Sequence, residues 1–175
     1  ADVPLKGLKF LIEAMPTIIK KFPEAHLVVI GKAKQEGKIL KKISNLNLES
    51  KISFHSGLSQ FELVSLYSSS QISVIPSLYE GFGFGAGEAM SCELPLISTR
   101  SGGLKEVIGQ DAAVEIESGS SEAIAIAVKE LFSDEERQHA LSRLGRKRME
   151  NEFNWMKAAK GYEKIYVKAI EEFQY

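Results

Sequence analysis

The feature that most limits how this chain can fold is a repeated change of hydrophobic period. Short apolar runs rich in β-branched residues alternate with stretches whose apolar residues recur every three or four positions. Leu8, Leu11, Ile12, Met15, Ile19 and Phe22 fall on one face of a helix that Pro16, lacking a backbone donor, is expected to kink and Pro23 to end. His26–Gly31 is a continuous apolar run, the pattern of a strand buried on both faces of a parallel sheet. A lysine-rich helix near 35–46 and a strand at 51–54 follow. Ser59 and Glu62 form a capping box opening a helix with the expected core face Phe61, Val64, Leu66 and Tyr67. Further strands are read at 71–75, 94–99 and 112–116, with a short helix at 104–108 between the last two. Beyond Ser118 the pattern is helical, with a second capping box in Ser133–Glu136. Asn154 caps a final helix carrying Ala159, Tyr162, Ile165, Tyr166 and Phe173, with Trp155 as its expected anchor. Five strands alternating with helices predict an α/β fold, a Rossmann-like parallel sheet with flanking helices and right-handed crossovers.

A length of 175 residues suits one domain. With 44% hydrophobic and 26% charged residues, disorder, collagen-like sequence and a small disulfide scaffold are excluded. Twenty-two Lys and Arg against 23 Asp and Glu leave a formal charge of −1, so no global field points to nucleic acid or an anionic membrane. One cysteine, Cys92, and three scattered histidines give no disulfide and no metal cluster, which is compatible with a reducing compartment. No apolar run approaches the roughly 20 residues of a membrane span and the start ADVPLKGL lacks a signal pattern, so a soluble, cytoplasmic protein is expected.

In an open α/β sheet, ligands bind beyond the carboxyl ends of the strands. The richest loop there is Pro76–Met90, where Gly81, Gly83, Gly85 and Gly87 let main-chain N–H groups approach a ligand and the following helix directs its positive end to the same place. Glu80 before the loop and Glu88 just inside the helix are acceptor-only groups suited to gripping vicinal hydroxyls. Two other readings stand beside this one. The glycines can serve tight packing alone, with Glu88 favoured by the helix dipole. Gly81-Phe82-Gly83-Phe84-Gly85-Ala86 also nominally fits a dinucleotide fingerprint, although that belongs to the first βα turn and two phenylalanines crowd it here. His55 at the end of its strand, Glu106 beside Gly102-Gly103 and the lysines at 32–42 are weaker candidates, and Cys92 reads as a small core residue.

Glu80 and Glu88 with seven residues between them, in the setting PSLYEGFGFGAGEAM…ELPLISTRSGGLKEVI, resemble the nucleotide-sugar-binding domain of retaining GT-B glycosyltransferases of family 4, also called group 1. Lys6-Gly7, Ser101-Gly102-Gly103-Leu104-Lys105-Glu106-Val107 and the tail FNWMKAAKGYEKIY are similar to further elements of that family, so the resemblance covers nearly the whole chain. It implies the C-terminal half of a GT-B fold and one nucleotide-sugar-binding domain over 1–175, with C-terminal helices near 120–173. It assigns Lys6 to the donor diphosphate and Glu88 to the ribose hydroxyls. Glu80, with Phe82, Gly83 and Phe84, is assigned to the transferred sugar, and Glu80 and Lys6 are the implied catalytic groups. The implied function is retaining transfer of a sugar from a nucleoside diphosphate to an acceptor, with no cofactor and no metal. A nucleotide-sugar-binding module or GT-B epimerase without transfer activity is the alternative, and a dinucleotide oxidoreductase a more distant one.

The implied partners are the nucleoside-diphosphate sugar and the protein's own N-terminal acceptor-binding domain, which this sequence does not contain; nucleic acid is not among them, and room is left for peripheral membrane contact. The chain departs from the family in having Glu93 where a small residue or Gly is common, and Gly87 where a bulky aliphatic residue is common. The family's domain also opens with a strand ending in Gly-Arg that is missing here. In a doubly wound order that strand is central, so a gap, or a segment from elsewhere, is expected between His26–Gly31 and Gln71–Ile75.

Overall fold

Both hydrophobic periods are realised in the structure, a computed structural model that describes residues 3–34 and 37–173. Its order is a 3-10 turn at Pro4–Lys6, α1 (Leu8–Lys21), β1 (Leu27–Ile30), α2 (Lys38–Asn45), a 3-10 turn at Glu49–Lys51, β2 (Ile52–His55), α3 (Gln60–Ser68), β3 (Ser73–Ile75), α4 (Phe84–Ser91), β4 (Leu96–Ser98), α5 (Leu104–Ile108), β5 (Val114–Glu115), α6 (Ser121–Phe132), α7 (Glu135–Glu152) and α8 (Trp155–Glu172). The first residues of the helix expected near 35–46 lie outside those described. Every strand pairing is parallel, so the α/β architecture read from the sequence is the one observed. α1 is a single helix through Pro16 and stops two residues before Pro23.

The strands form two sheets, β1-β2 and β3-β4-β5. Leu27 pairs with Ile52 in the first, and Val74 pairs with Ile97 in the second. β1 and β3 share no ladder, and a cavity of about 540 Å³ lies between them, walled by Leu27–Ile30 on one side and Ile72–Ile75 on the other. The break falls where the doubly wound order predicts a gap.

Packing is layered on these sheets. α1 turns Leu8, Leu11, Ile12, Met15 and Ile18 into a core shared with Ile124, Val128 and Leu131 of α6, closed by the Phe22 and Phe132 rings at 5.2 Å. A second cluster joins Ala86 and Met90 of α4, Leu104 and Val107 of α5, and Met149 of α7 beside Leu96. Burial of this kind stabilises by about 25 cal/mol per Å² of apolar surface.

Three expectations are corrected. The core face of α3 is Leu63, Leu66 and Tyr67, an i, i+3, i+4 stripe, whereas Phe61 is 81% exposed and Val64 is also exposed. The cap of α7 is Asp134, which accepts from Arg137 N–H, and Ser133 instead bonds back to the Lys129 carbonyl, so no capping box forms there. Trp155 is 90% exposed and anchors nothing; α8 has no buried residue, although Asn154 caps it as expected.

The two departures from the family pattern lie in α4 and just beyond its end. Glu93 takes a left-handed φ of 57° where α4 ends, a conformation that glycine adopts without cost. Gly87 lies where an added Cβ would meet the Met149 sulfur at 3.5 Å, an ordinary contact, so nothing in the structure explains the bare position.

Candidate functional site

Three loops meet at the carboxyl ends of β3 and β4, and main-chain contacts interlock them. Leu78 N–H donates to the Leu5 carbonyl at 2.7 Å, and Gly103 N–H donates to the Glu80 carbonyl at 2.8 Å. Side chains would break this interlock. A Cβ on Gly7 would lie 1.9 Å from the Pro76 carbonyl oxygen, one on Gly102 2.2 Å from the Glu80 carbonyl oxygen, and one on Gly103 2.2 Å from that of Gly81. Tight packing therefore accounts for these glycines. It does not account for Gly81, which has nothing within 4 Å of an added Cβ.

The interlock brings Lys6 and Glu80 together across 74 positions of sequence. Lys6 Nζ lies 2.7 Å from Glu80 Oε1 and 2.5 Å from Oε2, with the carboxylate largely enclosed and the ammonium half exposed. The hydroxyl of Ser77, a residue 1% exposed, contacts Oε2 at 3.3 Å. The Ser77 carbonyl accepts from Thr99 and Ser101 hydroxyls, each at 2.7 Å, which ties the loop after β4 to the loop after β3. Beside this pair starts α4. The N–H groups of Phe84 and Gly85 donate to no main-chain carbonyl among the described residues, leaving two amides and the positive helix end available to an anion. Gly83 is buried, whereas the Phe82 and Phe84 rings, 4.9 Å apart, are exposed at the rim, with Phe82 also 5.9 Å from Phe153.

Glu88 lies one turn further along α4 and does not join the Lys6–Glu80 pair. Its Oε2 accepts the Tyr67 hydroxyl at 3.1 Å. Burial, and then the Glu88 charge, push the Tyr67 hydroxyl well above the usual tyrosine range, so it stays protonated. Reading the sequence assigns Tyr67 to the core and misses this contact; the only signal is a polar tip on an otherwise apolar face. Glu88 and Tyr67 also border a second cavity of about 1070 Å³ among α3, α4 and the α7–α8 junction, walled by Leu63, Val64, Met149 and Phe153.

The weaker candidates stay apart. His55 ends β2. Cys92 is free and half-buried, its thiol pushed up first by burial. Glu106 makes no ion pair among the described residues, and its carbonyl accepts from Arg148 at 2.5 Å. Lys42 pairs with Glu13. No group of three or more His, Cys, Asp or Glu side chains placed to hold a metal occurs among the described residues, and no helix there is long and apolar enough to cross a membrane.

Residues 2–148 match the sequence model of the family described as "Glycosyl transferases group 1". The chain is 35% identical over 173 residues to the MMP alpha-(1->4)-mannosyltransferase of Mycolicibacterium hassiacum, covering 97% of this chain and 42% of that protein. It spans less than half the length of the curated relatives it matches. Among solved structures, the C-terminal domain of a glycosyl transferase group 1 family protein (LpcC) from Francisella tularensis superposes with a TM-score of 0.77 at 28% identity, covering 87% of this chain and 82% of that one. Anabaena HepE, solved with UDP and glucose, shares the fold at a TM-score of 0.84 and 18% identity, over 95% of this chain and 46% of that one.

Proposed function

The chain belongs to the group 1 glycosyl transferases, and from that premise we propose that it forms the donor-binding part of an enzyme that moves a sugar from a nucleoside diphosphate to an acceptor with retention of configuration. The observation that carries the reading is the Lys6–Glu80 pair beyond the strands, next to the start of α4, where a Cβ on Gly83 would lie 3.7 Å from Glu80 Cγ.

Lys6 and Glu80 neutralise each other. A bound diphosphate, carrying more negative charge than one carboxylate, competes for the ammonium and frees Glu80 to accept from hydroxyls of the transferred sugar. As the bond to the leaving phosphate breaks, Lys6 and the Phe84 and Gly85 amides take up the developing charge. Backbone groups of Phe82 and Gly83 and the exposed Phe84 ring border the sugar, and Glu88 takes the ribose hydroxyls. This scheme calls for no cofactor. The acceptor is held by an N-terminal domain of the same protein, in keeping with relatives more than twice as long as this chain. The single free cysteine suits a cytoplasmic setting.

Titration with UDP, GDP, ADP and NADP, followed by thermal unfolding, tests the reading. A ligand that binds the folded state raises the melting temperature with concentration. A nucleoside diphosphate is expected to do so, and a response to NADP alone overturns the proposal.

A further inference from the structure

Glu88 protrudes from α4, and an exposed glutamate on a helix ordinarily samples several rotamers. Here one rotamer is tied. The Tyr67 hydroxyl reaches its Oε2 at 3.1 Å from a neighbouring helix, and among the described residues no donor reaches Oε1. The tyrosine itself cannot move to suit the carboxylate. It is 8% exposed, and its ring packs on Ala89 and Leu94 with Leu63 and Cys92 around them. Ala89 directly follows Glu88, and its carbonyl accepts Leu94 N–H at 3.0 Å, so the turn that carries the carboxylate and the surface that clamps the ring are one unit.

We propose that Tyr67 is a positioning residue for Glu88, holding Oε2 so that Oε1 is presented in one place to a hydroxyl of the bound nucleotide. This rests on the donor-site reading above and adds to it a residue on α3 that never touches the ligand. The hydroxyl suits the task because burial keeps it protonated, and so a donor, well past the pH at which a tyrosine ordinarily ionises, and a bond from it to a carboxylate is charge-assisted. Fixing the rotamer in advance removes part of the ordering cost that binding otherwise carries.

The test is a double-mutant cycle on nucleoside diphosphate affinity, with UDP, GDP and ADP as probes and melting temperature recorded for every variant. Tyr67→Phe removes the hydroxyl and keeps the ring. It is expected to weaken binding about two- to tenfold. Glu88→Ala weakens it more, and Tyr67→Phe in the Glu88→Ala background weakens it no further, because the hydroxyl acts only through the carboxylate. Unchanged affinity in Tyr67→Phe overturns the positioning role, whatever happens to its melting temperature. A loss of equal size in both backgrounds also overturns it, since that loss comes from packing. Failure of the unsubstituted protein to bind any of the three overturns the donor-site reading and this proposal with it.

Discussion

Glu80 and Glu88 are eight positions apart and chemically identical, yet one faces the Lys6 ammonium and the other the Tyr67 hydroxyl. Their substitutions should therefore separate. Under the proposed assignment Glu88→Gln is expected to weaken donor and free nucleoside diphosphate alike, because ribose is common to both. Under the same assignment Glu80→Gln does not weaken product inhibition by the nucleoside diphosphate, strengthening it so far as Lys6 is released, and lowers kcat, because the sugar assigned to Glu80 is absent from that product. Each lost bond to a charged group is worth about 1.5–3 kcal/mol, roughly 10- to 150-fold. Equal weakening of nucleoside diphosphate binding by both substitutions refutes the division. Tyr67 carries a separate pH signature. Its raised folded-state pKa stabilises the protein fully below the ordinary tyrosine value of about 10 and loses that contribution as pH climbs above it. Urea unfolding at pH 9 and pH 11 should show a smaller alkaline loss in Tyr67→Phe than in the unsubstituted protein. The glycines give a third contrast. Gly103→Ala drives a Cβ against the Gly81 carbonyl and should cost about 1–3 kcal/mol, while Gly81→Ala meets nothing and should leave the melting temperature in place. Similar effects from the two would contradict the loop interlock. The sequence pattern brings out both carboxylates and the glycine run, but it cannot sort packing glycines from open ones. That distinction depends on which backbone comes near, and the backbone that comes near Gly103 belongs to a loop about twenty residues away.

Among the elements, helices were legible to within a few residues because period and caps are local; the partner each face finds is not local. Phe61 and Val64 have the apolarity of core residues but sit off the stripe that α3 shares with α4, so only Leu63, Leu66 and Tyr67 are covered. α8 is the larger case. Tyr162, Ile165, Tyr166 and Ile170 recur at helical spacing, and the helix forms, yet all four are exposed and nothing on it is buried. A helix that buries no residue draws little from tertiary packing, the source of most helical stability in proteins. Truncation after Asn154 should thus remove helical signal while changing the melting temperature by less than about 2 °C, since uncovered surface residues contribute within about 0.5 kcal/mol. A fall of many degrees in a thermal melt would mean that α8 is buried against the rest of the chain.

For the whole molecule, the strand alternation predicts the class of fold, and the break between β1 and β3 follows only when a strand order is assumed. Neither edge strand is disguised. Leu27–Ile30 and Ser73–Ile75 carry no proline, lysine or glutamate, the residues that ordinarily protect an exposed edge, and their sequences read as interior strands. A parallel strand turns alternate N–H groups to opposite sides. Gly31 donates to His55, so Val29 also faces β2, and Val28 and Ile30 face the cavity. Ser73 donates to Pro95, which places the Val74 N–H on the cavity side of β3. Ile97 and Ser98 of β4 have paired strands on both sides. Amide hydrogen exchange measured residue by residue should show Val28, Ile30 and Val74 exchanging orders of magnitude faster than Ile97 and Ser98, because an unbonded amide needs no unfolding to meet water. Equal protection across these five would mean that the cavity is closed in solution by a hydrogen-bonding strand.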